Sequence, residues 1–220
     1  MRKLSILVLT FGLGACSSGP KYKIDDSVLA SVPVADKAGV LSAQNEQNQA
    51  QAEVTKAKAD LESAERDLDI AENEYKAAKL NLDTAKLNQK AADESGDVNR
   101  KNSAARDVHV ADMGVQAADA KVDWLEKKVK WQKYTRDAAE AHTQSSAAKY
   151  ELEKAKLAAA KNIKPSDDFN VMNFESESLD KQKRYSDSEM EADRLKPDVD
   201  GLERKYTALS QQYNDLKNAH

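Results

Sequence analysis

Between Val54 and Lys86 every seventh residue is alanine: Ala57, Ala64, Ala71, Ala78 and Ala85. Four residues after each of the first four stands a bulkier side chain: Leu61, Leu68, Tyr75 and Leu82. The register extends in both directions. Alternating steps of three and four lead from Val40 through Ala43, Gln47, Ala50 and Val54 to Gln89 and Ala92. If the first of each pair is a and the second d, alanine fills eight consecutive d positions. A 3.5-residue apolar repeat held this long specifies a helix whose seam supercoils against another helix. Alanine favours a long helix and lets the partner come close, but it buries little apolar area per layer. Such a chain builds a long, narrow rod that depends on many layers in register, rather than a rounded core. Charged residues edge the seam: Asp60, Asp67 and Glu74 on one side, Lys58, Glu65, Glu72, Lys79 and Lys86 on the other.

Composition offers one competitor, disorder, because 33% of residues are charged and only 5% aromatic. Glycine and proline are scarce, the charges alternate in sign, and Ala, Glu, Lys, Gln and Leu dominate, which is the composition of long helices. A second helix is expected after "ADESGDVNRKNS", with Gly96 as stop and Asp97 as N-cap. Its seam runs Val108, Ala111, Val115, Ala118, Val122, Leu125, Val129. It then shifts phase to Trp131, Tyr134, Ala138, Ala141, Ser145, Ala148, Leu152, Ala155 and Ala159. A phase shift changes the supercoil locally or marks a helix with two neighbours. Pro165 ends this helix's territory. A third helical region carries Phe174, Ser178, Tyr185, Ala192, Leu195, Val199, Leu202, Tyr206, Leu209, Tyr213 and Leu216, with a kink or restart at Pro197.

The fold class is therefore all-α: an elongated antiparallel helical hairpin with a third, kinked C-terminal helix packed along it. The expected divisions are 35–161 for the hairpin, turning at about 95–102, then 162–173 as linker and 174–219 as C-terminal helix. The first helix has a second apolar group off its seam: Ile70, Ala77, Leu80, Leu87 and Ala91. With the third helix parallel to the first, Ile70 falls beside about residue 200 and Leu87 beside about residue 217, where Leu202 to Leu216 offer apolar partners. This layout places the third helix on that group. The competing layout leaves the group to pair between molecules.

The N-terminus carries a separate message. Arg2 and Lys3 precede a short apolar run, Leu4 to Leu13, too short to span a bilayer. Leu13-Gly14-Ala15-Cys16 resembles the lipobox of bacterial lipoproteins. The resemblance implies cleavage before Cys16, acylation of that cysteine, and, with Ser17 following it, sorting to the outer membrane, facing the periplasm. Cys16 is the only cysteine, and lipidation gives a lone thiol in an exported chain a role. Residues 1–15 would be the cleaved signal peptide and 16–34 a lipidated, flexible tether. Loss of Arg2 and Lys3 moves the formal net charge from −4 to −6. No basic stripe suits nucleic acid.

Little chemistry is expected along the rod. His109, His142 and His220 lack the i, i+4 spacing of a helical metal site and read as exposed histidines. "PDVDG" at Pro197 to Gly201 lacks the oxygen spacing of a calcium loop. There is no phosphate loop, nucleophile elbow or Cys–His pair. No catalytic, cofactor-binding or metal residue is assigned, and no small-molecule substrate. Trp124, Trp131, Tyr206 and Tyr213 form a candidate interaction or packing surface, with packing preferred at helical spacing. The functional expectation is a non-enzymatic, membrane-anchored spacer, tether or adaptor whose partner is an envelope protein or itself. The alternative is an accessory subunit of an envelope transport or secretion system, docking through its hairpin tip.

Overall fold

A computed structural model describes residues 19–219, and the expected signal peptide, residues 1–15, and Cys16 lie outside the described residues. The fold is all-α: three long helices pack antiparallel in succession, with no strand among the described residues. Helix α1 (Ala38–Ser95) and helix α2 (Val98–Ala160) have 58 and 63 residues, and α3 (Val171–Asn218) has 48. At 1.5 Å per residue these are rods of about 87, 95 and 72 Å. Two short 3-10 helices precede them: η1 (Asp26–Leu29) and η2 (Val34–Lys37).

The turn between α1 and α2 uses the chemistry written in its sequence. Gly96 adopts a left-handed φ of 73° at the end of α1, a conformation without penalty only for glycine. Asp97 then caps α2 by accepting from the backbone N–H of Asn99 (2.8 Å) and Arg100 (3.3 Å). Asn170 does the same for α3 through Met172 N–H at 3.0 Å. α3 continues through Pro197, so no restart occurs there. Pro197 and Asp193 are both exposed, so the carbonyl that loses its N–H partner faces water.

Burial along each helix identifies its neighbours. In α1 the buried residues are Val40, Ala43, Ala50, Ala57, Leu61, Ala64, Ala71, Leu82, Ala85 and Ala92, all on the alanine seam. One face of α1 is therefore covered, by α2. In the lower half of α2, burial comes in adjacent residues: Ser145 with Ser146, Glu151 with Leu152, Lys154 with Ala155. A helix buries adjacent residues where it is covered on more than one side, and around Glu151 and Lys154 residues 24–26 add to that cover. α2 is accordingly the central helix, packed against α1 on one side and α3 on the other. This accounts for its phase shift near Trp131.

The expected seat of the third helix is corrected by this arrangement. Ile70, Leu80 and Leu87 are 55%, 67% and 69% exposed, and α3 does not cover them. The height was right and the side was wrong. Glu74 reaches Lys121 on α2, and Lys205 of α3 reaches Asp123, so Ile70 and Leu202 do lie at about the same level. They do not meet, because α3's Tyr206 and Tyr213 pack on α2, against an aromatic ring and a bare backbone. Tyr206 stacks on Trp124 with centroids 5.5 Å apart and planes 10° apart. Tyr213 lies against Gly114, where a Cβ would stand 3.1 Å from its ring. A glycine inside a helix costs about 1 kcal/mol relative to alanine, and here it admits the tyrosine.

Ion pairs set the register without adding much stability. Lys58–Glu140 (3.3 Å), Glu65–Lys133 (3.5 Å) and Glu74–Lys121 (2.6 Å) link α1 to α2, and Lys127–Asp198 (3.0 Å) links α2 to α3. Most of these groups are well exposed, where a pair contributes about 0–1 kcal/mol.

Candidate functional site

Two places gather chemistry: the base of the rod, where the N-terminal segment docks, and a cleft about a third of the way along it. At the base, residues 19–34, read from the sequence as part of a flexible tether, are packed instead. Ile24, Leu29 and Val32 are buried in one cluster with Leu152, Ala155 and Ala158 of α2 and Phe174 of α3. Tyr22 and Phe169 tilt against Phe174, with centroids 5.6 and 6.1 Å away. The three aliphatic residues follow no helix or strand period, so the sequence carries little sign of this packing.

Carboxylates hold the same segment by its backbone. Glu151 accepts from Ile24 N–H at 2.8 Å, and Glu177 accepts from Lys21 and Tyr22 N–H at 2.7 and 3.1 Å. Lys154, whose side chain is only 4% exposed, bonds Asp26 at 2.8 Å and Glu151 at 3.1 Å. Burial would lower the Lys154 ammonium, but hydrogen bonds to Asp26 and Glu151 outweigh it and raise the group above its ordinary value. A buried charge demands such partners. One side chain, Glu151, therefore satisfies both a buried backbone N–H and a buried ammonium.

At the cleft, α1 and α3 approach each other beside α2 around His142. Its Nδ1 lies 2.7 Å from the Glu53 carboxylate of α1, and its ring stacks on Tyr185 of α3 at 4.6 Å and 16°. The reading of His142 as exposed is thus corrected: its side chain is 18% exposed and bridges two helices. His109 is exposed, and His220 lies outside the described residues. A cleft of about 440 Å³ opens here, lined by Ala57, Trp131, Gln132, Thr135, Ala138 and Ala192 among others. Tyr185 donates to Glu189 at 3.0 Å. Burial and that carboxylate push its phenol up to about 12. An imidazole held between a carboxylate and an aromatic face works as a clasp. No His/Cys/Asp/Glu group among the described residues is placed to hold a metal.

The sign of the Tyr185 effect is set by linkage. A phenol whose folded value is raised keeps its proton after the unfolded chain has lost it. Stability is full below the ordinary tyrosine value of 10.0 and falls as pH rises toward 12. Tyr185→Phe is expected to remove part of that alkaline loss, measured as midpoint of thermal unfolding between pH 9 and pH 12. An alkaline slope identical to that of the parent chain would show that Tyr185 is not held this way.

The candidate aromatic surface belongs to the α2–α3 contact. Trp124 carries Tyr206 on one face and has Lys128 Nζ 5.3 Å from its centroid. Its Nε1 is buried without a hydrogen-bond partner. Trp131 lines the cleft, with Lys196 Nζ 5.2 Å from its centroid. Tyr213 is half-buried beside Gly114. The structure brings Trp124 to Tyr206 and keeps Trp131 and Tyr213 at separate levels. Sequence reasoning missed Glu151, Lys154 and Glu177, because a carboxylate or lysine in a helix this charged gives no sign that it is buried, as the first two are, or that it holds a distant backbone, as Glu177 does. No family model, curated protein or solved structure matches the chain.

Proposed function

We propose that this chain is a lipid-anchored structural lipoprotein of the bacterial outer membrane, which projects a helical rod into the periplasm as spacer, tether or adaptor. The lipobox at Leu13 to Cys16 supports the anchor. The observation that carries the reading is the clamped base. Only Ser17 and Ser18 separate Cys16 from Gly19, and by Lys21 the backbone is already bonded to α3. A lipid on Cys16 would then pull on a stiff rod rather than on a slack tether. The hairpin tip at Gly96 would stand one α1 length away, about 87 Å. The reading assigns no catalysis and no cofactor. The long heptad seam is that of a coiled coil, a geometry suited to holding distance.

A second reading follows from the tip itself, where Val98 is 67% exposed amid charged residues. An exposed apolar residue at a hairpin end suits docking onto an envelope transport channel. One experiment separates the two: photo-crosslinking in intact cells from positions 95–102. Products with cell-wall proteins favour the spacer, and products with a channel favour the transport accessory. Labelling of the tip by lipid-phase reagents would contradict a rod standing off its membrane.

A further inference from the structure

The face of α1 left bare by α3 has its own heptad pattern. Ile70, Ala77, Leu80, Thr84, Leu87 and Ala91 follow steps of three and four, apart from Asn73 in the first gap, and all are exposed. Ile70 comes two residues after Leu68 of the alanine seam, so this stripe lies about 200° around the helix, directly away from α2. It covers about 33 Å of rod. Three large apolar side chains more than half exposed in such a row form the half-seam of a coiled coil.

The charges beside the stripe say what covers it. The residues that precede Ile70, Ala77, Thr84 and Ala91 are Asp69, Lys76, Asp83 and Lys90, alternating in sign. All four are exposed, and among the described residues none takes part in an ion pair. In an antiparallel pair of helices these positions face each other across the seam. Set a second copy antiparallel with Ala77 opposite Leu80 and Ile70 opposite Leu87. Asp69 then meets Lys90 of the second copy, and Lys76 meets Asp83. The two-fold axis repeats both contacts, so four attractive pairs and no repulsive one flank the seam. Asn73 and Thr84 meet in two polar layers, one on each side of the two-fold axis, and such layers fix register at a cost in stability. A parallel pair would instead set Asp69 against Glu74 of the second copy, a like-charge contact, with only Asn81 and Asn88 at the other positions.

We infer that the α1 stripe from Ile70 to Ala91 is a self-association surface that pairs two copies of this chain antiparallel. The two α1 N-termini then lie about 120 Å apart at opposite ends of the pair. The inference stands on α1 alone and does not need the anchor.

The test uses sedimentation equilibrium of the full chain, held in mild detergent at low salt. One variant, Lys76→Glu with Lys90→Glu, carries four acidic flanking groups. The other, Asp69→Lys with Asp83→Lys, carries four basic ones. All four positions are exposed, so both variants should keep the parent's helical circular dichroism. The parent chain is expected to dimerise. Each variant alone should associate at least about tenfold more weakly, since four attractions become four repulsions. The equimolar mixture should recover a dimer containing one copy of each, a result that like-charge repulsion elsewhere could not give. A parent chain that stays monomeric at roughly 100 µM would assign the stripe to a different partner and overturn the inference. So would a dimer that neither variant weakens, or a mixture that does not recover.

Discussion

Glu151→Ala is expected to weaken the base of the rod by about 3 kcal/mol and to free residues 19–37 for proteolysis. The substitution strips the buried N–H of Ile24 of its acceptor and leaves the Lys154 ammonium, 4% exposed, with Asp26 alone. Asp26 is 77% exposed and cannot replace the lost contact in the interior. Trypsin cleavage after Lys21 and Lys23 should accelerate roughly a hundredfold if the segment opens and recloses faster than it is cut. Two companions sharpen the result. Glu151→Gln keeps an acceptor for Ile24 and should lose less. Glu151→Leu with Lys154→Met removes the charge pair together and should recover the part of the loss due to Lys154, but not the part due to the Ile24 N–H, because apolar replacement of a buried pair is often neutral. Cleavage of Glu151→Ala at the parental rate would show that the segment is not held through this residue.

The second large effect separates the two sides of the hairpin. Among the described residues Leu125 is the largest fully buried apolar side chain, and it stands on α2 at about the level of Ala71. Leu125→Ala should destabilise the bundle by about 2–5 kcal/mol, the lost burial plus a cavity between helices that alanine neighbours cannot fill. Leu80→Ala, the same change on α1, should leave monomer stability within about 0.5 kcal/mol, because Leu80 is 67% exposed. Urea unfolding of both variants, at concentrations where the chain is monomeric, checks the pair. A Leu80 loss as large as that of Leu125 would return the third helix to the α1 face.

The hairpin was legible because it rests on repetition. Eight alanines in one register, a glycine that can take a positive φ and an aspartate that can cap leave few alternatives for residues 38–160. The side on which α3 packs was not legible in the same way. Counting residues fixes height along a rod, and at each height α1 and α2 both offered apolar side chains. The deciding signal was the phase shift in α2 at Val129–Trp131, since only a helix with two neighbours needs two stripes. Gly114 was a second signal, an otherwise unfavourable residue in mid-helix that marks a close approach. The foot was the least legible part. Ile24, Leu29 and Val32 are spaced irregularly, and the carboxylates that hold their backbone differ in no local way from many exposed ones. Its stability comes from contacts more than a hundred residues apart, which no local pattern encodes.

The clamped foot would give the proposed N-terminal anchor its mechanical meaning, so the account turns on what the mature chain begins with. Mass spectrometry of the N-terminal peptide from the protein isolated out of cell membranes measures this directly. The account predicts a chain starting at Cys16 with acyl groups on its sulfur and amino nitrogen. A chain that retains Met1, or that starts elsewhere with an unmodified Cys16, would contradict it.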